Sequence, residues 1–181
     1  MIYNFDHAIL DFIQRLKCGF LDFFMPIFTA LGNKGIFFIL LGVTFLFFKK
    51  TRKSGIVILI ALTLGGLFCN LLLKPLVARP RPYTELPDYV LLVKQLTDFS
   101  FPSGHTTAAF ETAFGVALLG KKQAICAYIF AVLMAFSRMY LYLHYPTDVL
   151  AGAIIGTLCA VLAYVIYKAV MKKRETSHGT L

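Results

Sequence analysis

Three stretches of this chain carry residue types suited to handling a phosphate group. The first runs from Lys74 to Arg81-Pro82, the second is Phe101-Pro102-Ser103-Gly104-His105, and the third runs from Ser137-Arg138 through His144 to Asp148. Lys74, Arg81 and Arg138 supply three cations, two of them guanidinium forks that match phosphate oxygens. Pro102 suits the first turn of a helix, whose leading N–H groups would then point freely at an anion. Gly104 lets that anion come close, and the Ser103 hydroxyl adds a donor. His105 and His144 remain for proton and bond chemistry. Asp148 is expected in the first turn of a helix, where the dipole favours a carboxylate. A carboxylate on one ring nitrogen of His144 would fix its tautomer and leave the other nitrogen as a nucleophile.

The elements that must hold these residues are dictated by composition. Of 181 residues, 59% are hydrophobic and only 15% charged, against about 45–50% and 25% in soluble domains. Mean hydropathy is +0.75. A soluble domain could not hide that much apolar surface, and a disordered chain needs the opposite composition. The expected class is all-α, an integral membrane bundle. Six apolar segments, at 18–31, 35–48, 54–78, 103–120, 123–143 and 149–171, predict six transmembrane helices, the first two short enough to be tilted, kinked or partly interfacial. Phe5, Ile9, Phe12, Ile13 and Leu16 recur at helical spacing and predict an N-terminal interfacial amphipathic helix. The whole of 1–181 reads as a single domain: interfacial helix 1–17, transmembrane core 18–171 and cytoplasmic tail 172–181.

The net charge of +9 is carried largely by three clusters: Lys49, Lys50, Arg52 and Lys53; Lys121 and Lys122; and Lys172, Lys173 and Arg174. Each borders an apolar segment, as cytoplasmic loops do under the positive-inside rule. No aromatic-interleaved basic stripe accompanies them, so no nucleic acid partner is expected. With six crossings both termini and all three clusters share the cytoplasmic side. The connection near 32–35, the loop 79–102 and the turn 144–148 then face the periplasm or exterior. Against the charge rule, Lys74, Arg79, Arg81, Lys94 and Arg138 sit at that outer face, where cations embedded in apolar sequence point to a bound anion. Topology alone brings the three phosphate-handling stretches together. Cys18, Cys69, Cys126 and Cys159 form no CxxC pair and read as small apolar side chains.

The three ordered stretches resemble the type 2 phosphatidic acid phosphatase family of membrane lipid phosphatases. Its pattern is Lys, six residues, Arg-Pro; then Pro-Ser-Gly-His; then Ser-Arg, five residues, His, three residues, Asp. All 11 fixed positions are present, between Lys74 and Asp148, with Arg81 as the match and Arg79 an extra cation. The resemblance implies that His144 attacks phosphorus to form a phosphohistidine, with Asp148 orienting it. It implies that His105 protonates the leaving group and then activates water. Lys74, Arg81, Ser103, Gly104 and Arg138 would bind the phosphoryl oxygens, without a metal or other cofactor.

The expected activity is removal of a terminal phosphate from a membrane lipid in the cytoplasmic membrane, the site facing outward. Phosphatidylglycerol phosphate, undecaprenyl diphosphate, phosphatidic acid and lipid A 1-phosphate all fit the motifs. The partners implied are that lipid and the bilayer, with no obligate protein partner. Absence of an Asn-X-Ser/Thr acceptor favours a bacterial source. A lipid transporter would explain the cations but not the His/His/Asp set, and a vanadate haloperoxidase would be soluble. Glu111, within the fourth segment, reads as a hydrogen-bonded interior residue, and Asp22 similarly. Glu85, Asp88, Lys94 and Asp98 read as a solvated polar loop over the site. Tyr140, Tyr142 and Tyr145 suit an interfacial aromatic belt. No role is expected for His7 or His178.

Overall fold

A computed structural model describes residues 2–86 and 89–178, and among them it is helical without strands. Asp88 and the His178 side chain lie outside the described residues. Eight helices follow in order: α1 (Ile2–Gln14), α2 (Gly19–Ala30), α3 (Ile36–Leu46), α4 (Arg52–Gly65), α5 (Lys74–Val77), α6 (Gly104–Ala117), α7 (Lys121–Tyr140) and α8 (Pro146–His178). A π-helical stretch, Gly66–Leu73, joins α4 to α5 without a break. Such widened turns recur at functional sites, and here Cys69 and Asn70 on it line the central cleft.

Among the described residues, three helical stretches are long and apolar enough to cross a membrane: Arg52–Glu85, Lys121–Tyr140 and Pro146–Thr176. A fourth candidate is the pair formed by α2 and α3. At 12 and 11 residues, each rises only about 18 Å or less, well short of a hydrocarbon core of about 30 Å. Lys34 and Gly35 turn the chain between them with φ of 54° and 69°. The two helices meet at a bend of 42°, so they continue one another instead of doubling back. Their neighbours along α7 trace the same path. Asp22 accepts from the Tyr140 hydroxyl at 2.7 Å, and Phe28, Phe37 and Phe38 surround Phe130. Phe45 shares a groove with Lys122 at the far end. The two short segments expected to cross separately thus reach the length and hydropathy of a span only as a bent pair.

α6 lies between α4, α7 and α8. Glycine permits its closest contact: a Cβ on Gly152 of α8 would sit 2.7 Å from the Ser103 carbonyl oxygen, and one on Gly156 would sit 2.5 Å from that of Thr107. This approach seats the start of α6 against the start of α8. Outward-facing Phe20, Phe23, Leu71 and Leu158 give the bundle an apolar exterior suited to lipid.

α1 docks with an unexpected face. Asp6, Leu10 and Ile13 are buried, whereas Phe5, Phe12 and Leu16 point away from the protein. Leu10 and Ile13 pack on Tyr140, Leu141, Tyr142, Leu143 and Tyr145, the segment connecting α7 to α8. The apolar stripe recognised in the sequence is thus split: Phe5, Phe12 and Leu16 face outward, Ile13 and part of Ile9 face in, and the polar Asp6 between its members is buried with them.

Candidate functional site

The three sequence stretches meet at one end of the bundle, around a cleft of about 360 Å³ lined by Lys74, Arg81, Gly104, His105, Arg138 and His144. Each is delivered by the end of a helix. Lys74 opens α5, which stops at Val77 because Ala78 adopts a left-handed conformation (φ 48°) and Pro80 and Pro82 follow. His105 occupies the first turn of α6, Arg138 the last turn of α7, and His144 the turn before α8.

Pro102 departs from expectation. Phe101–Pro102 is a cis peptide, and Ser103, not Pro102, caps α6. The Ser103 hydroxyl accepts from the Thr106 hydroxyl at 2.9 Å and from its N–H at 3.5 Å, while the Ser103 N–H donates to the Asp148 carbonyl at 3.1 Å. The leading N–H groups of a helix have no partner within it; at the start of α6 that of Thr106 is capped by Ser103, and Gly104 and His105 line the cleft.

His144 is 1% exposed and held on both ring nitrogens. Nδ1 lies 3.6 Å from Asp148 Oδ2 and 3.4 Å from Ser100 Oγ. Nε2 lies 3.2 Å from Arg81 Nη1, so its lone pair faces the guanidinium and the cleft. The Asp148 carboxylate is itself fully engaged. Its Oδ2 accepts from Ser100 Oγ at 2.5 Å and from the Tyr145 N–H at 2.9 Å, and its Oδ1 accepts from Arg79 Nη1 at 2.6 Å. Burial lowers the pKa of His144 well below 6.5, and Arg81, Arg138 and Lys74 push it further down against a partial offset from Asp98. A neutral imidazole with Nδ1–H toward a carboxylate and a free Nε2 is the state a nucleophile requires.

The cations form a second layer. Arg81 donates through Nε to the Asp98 carbonyl at 2.9 Å, through Nη1 to the Leu143 carbonyl at 2.8 Å and through Nη2 to Asp98 Oδ1 at 2.7 Å. Lys74 pairs with the other oxygen of Asp98. Burial alone would raise the Asp98 pKa, but the hydrogen bond and charge of Lys74, joined by Arg81, hold it down to about 2. Asp98, half-exposed, is thus the counter-ion of two cleft cations as well as the solvated loop residue expected. Arg138 donates to Thr29 Oγ1 at 2.6 Å, yet its Nε has no partner among the described residues although the side chain is buried. An unsatisfied buried donor costs about 1–3 kcal/mol.

His105 is held more loosely. Its Nε2 donates to Asn33 Oδ1 at 3.1 Å, and no other hydrogen bond fixes its ring among the described residues. Glu111 lines the deep end of the same cleft, 1% exposed, with Oε1 unpartnered among the described residues. The hydrogen-bonded interior carboxyl expected there is therefore only partly satisfied. Asp22 is hydrogen-bonded as expected, to Tyr140. His7 lies 3.1 Å from Glu85 and packs edge-on against Tyr145.

All eight residues singled out in the sequence converge here. Sequence reasoning missed Asn33, Asn70, Ser100 and Asp6, and left Arg79 without a role. Burial marks Asp6 and Ser100 in three dimensions, ion pairs to Asp6 and Asp148 mark Arg79, and Asn33 and Asn70 are marked by their places beside His105 and in the cleft lining. In one dimension only Asp6, a charge inside an apolar helical stripe, gave a signal.

A family model described as the PAP2 superfamily matches residues 54–172. A lipid A 4'-phosphatase of Bacteroides thetaiotaomicron is 34% identical over 177 residues, covering 90% of this chain and 77% of the relative. An undecaprenyl-diphosphatase of Sulfolobus acidocaldarius is 34% identical over 119 residues, 65% of this chain and 57% of the relative, so the chain spans little more than half of that protein. The crystal structure of a transmembrane PAP2 type phosphatidylglycerolphosphate phosphatase from Bacillus subtilis superposes with a TM-score of 0.73 at 28% identity, over 95% of this chain and 87% of that one.

Proposed function

We propose that this chain, which belongs to the PAP2 superfamily and is a multi-pass membrane lipid phosphatase, removes a terminal phosphate from a lipid phosphate or diphosphate through a phosphohistidine at His144. The observation that carries the mechanism is the two-sided hold on that ring, Nδ1 toward Asp148 and Nε2 toward Arg81. With the phosphoryl group bound by Lys74, Arg81, Arg138, Ser103 and the N–H groups opening α6, Nε2 attacks phosphorus in line. The P–N bond forms as the P–O bond to the lipid breaks, and His105 gives its proton to the leaving oxygen. In the second step His105 takes a proton from water, whose oxygen displaces Nε2 and releases inorganic phosphate. Negative charge spreads over the equatorial oxygens in both steps, where three cations stabilise it. None of these roles uses a cofactor.

The lipid reaches the site sideways. An apolar groove lined by Phe37, Phe38, Ala109, Ala113 and Phe130 runs between α3, α6 and α7 and would take an acyl or prenyl tail. The bent α2–α3 path supports five crossings in place of the six expected: α2–α3, α4–α5, α6, α7 and α8. The three basic clusters then lie at the end opposite the cleft, which supports a site facing outward from the cytoplasmic membrane. α1 lies on the site side, its Phe5 and Phe12 face toward the lipid interface. The domain is then α1, the crossings and a cytoplasmic tail from about residue 172.

Relatives named for lipid A, undecaprenyl diphosphate and phosphatidylglycerol phosphate define the panel, together with phosphatidic acid. Inorganic phosphate release from these lipids by the purified protein, in chelator, is expected to be lost in His144→Ala. Release unaffected by that substitution would overturn the mechanism. A cysteine at Thr84 is expected to label from outside the cell, and labelling only from the cytoplasm would reverse the orientation.

A further inference from the structure

Neither Arg79 nor Asp6 belongs to the 11 positions of the family pattern, yet both are built into the carboxylate that aims His144. Arg79 Nη1 donates to Asp148 Oδ1 at 2.6 Å and contacts Thr147 Oγ1 at 2.7 Å, while its Nη2 donates to Asp6 Oδ2 at 2.6 Å. The guanidinium also lies over the Tyr145 ring, 3.8 Å from its centroid. Asp6 in turn accepts from the Thr147 N–H at 3.0 Å through Oδ1 and from the Thr147 hydroxyl at 2.7 Å through Oδ2. Both carboxylates are 0% exposed. Two carboxylates buried on neighbouring elements would repel. One forked cation between them, with a helix N-terminus facing Asp6, offsets that repulsion and holds both in place.

We propose that Asp6 and Arg79 are positioning residues for the phosphoryl-transfer step, forming a clamp through which α1 fixes the Asp148 carboxylate and hence the His144 ring. This inference rests on the reading of His144 as nucleophile. The division of labour on Asp148 carries it. Arg79 saturates Oδ1, so the carboxylate plane is set and only Oδ2 is left for Ser100, the Tyr145 N–H and His144. Without the clamp the carboxylate keeps only its Oδ2 partners and can swing about its Cβ–Cγ bond, and Nε2 loses its aim. α1 is joined to this arrangement at further points: Gln14 Nε2 donates to the Tyr140 carbonyl at 3.2 Å, and Leu10 and Ile13 pack on the α7–α8 connection. A helix whose stripe reads as a membrane anchor is thereby also part of the active-site scaffold.

The test uses Arg79→Gln, Arg79→Lys, Asp6→Asn and the Asp6→Asn/Arg79→Gln pair in the full chain, beside His144→Ala, on the fastest-cleaved lipid of the panel. Misplacing a reacting group costs about 10²-fold, and a loss of that order in kcat is expected for Arg79→Gln with KM little changed. Arg79→Lys keeps the charge but not the fork and should recover part of the rate. The double variant should be no slower than Arg79→Gln alone, because both substitutions break one clamp. Thermal melting separates misfolding from misaiming, and if Arg79→Gln does not fold, the kcat of Arg79→Lys decides. Wild-type kcat in a folded Arg79 variant, with His144→Ala inactive, overturns the clamp alone. Activity in His144→Ala overturns the nucleophile assignment and the clamp with it.

Discussion

The two histidines of the cleft sit in contrasting surroundings. His144, on the α7–α8 connection, is almost fully buried, flanked by Asp148, Ser100 and Arg81, with the orienting carboxylate itself held by Arg79, Tyr145 N–H and Ser100. His105, in the first turn of α6, has one hydrogen bond, to Asn33. A nucleophile must present one lone pair along one line to phosphorus, and rigidity serves it. A group that gives a proton to a leaving oxygen and then takes one from water must serve two positions. A single weak tether allows that. The difference in packing suits the two tasks proposed for them.

The comparison can be broken most sharply at Asp148. Replacing an orienting carboxylate by its amide leaves the wrong tautomer and costs about 10⁴-fold in kcat where it has been measured, and a loss of that order is expected for Asp148→Asn. Steady-state turnover checks it, and a loss under tenfold would mean that His144 does not need aiming. General acid–base assistance is worth about 10²–10⁴-fold, so His105→Ala should be the less damaged of the two. It should spare most of the phosphorylation rate on a diphosphate, whose leaving phosphate needs little protonation, and lose most on a monoester with an alkoxide leaving group. Equal losses on both would contradict the role given to His105.

A smaller effect is expected at Asp98, which shares the phosphate-site cations. It is half-exposed, and exposed ion pairs are worth about 0.2–1 kcal/mol. Asp98→Asn should therefore lower KM by about fivefold or less, with kcat little changed; a raised KM would mean that Asp98 arranges the cations and does not compete for them. The smallest signature is in pH. Burial and three cations depress the His144 pKa below 6.5, so the ring stays neutral and nucleophilic as pH falls through that value. The acid limb of kcat/KM, after subtracting the substrate's own ionisation, should lie below pH 6.5. A limb at or above that value would show that the ring is not so perturbed in solution.

The candidate site was legible because it is carried by short motifs whose internal spacing survives in one dimension. Hydropathy placed those motifs at helix ends, and the bundle brings them to one cleft. What stayed hidden depends on partners far apart in sequence. Arg79 and Asp6 are 73 residues apart, and nothing in either neighbourhood names the other. Asp6 lies between members of the α1 stripe in the sequence, and only burial against Thr147 and Arg79 shows it facing inward. α2 and α3, at 12 and 11 residues, are each shorter than a bilayer core, and hydropathy, which measures apolar content and not direction, does not set the angle at which they meet.

The mechanism proposed for His144 requires a covalent bond between phosphorus and one nitrogen. Rapid mixing with a phosphate-labelled lipid, quenching in alkali where a phosphohistidine survives, and mass spectrometry of the peptides would locate it. Label is expected on His144, formed at least as fast as turnover, absent in His144→Ala and accumulating in His105→Ala with a diphosphate substrate. Full turnover with label on another residue, or with no labelled protein at any time, would contradict it.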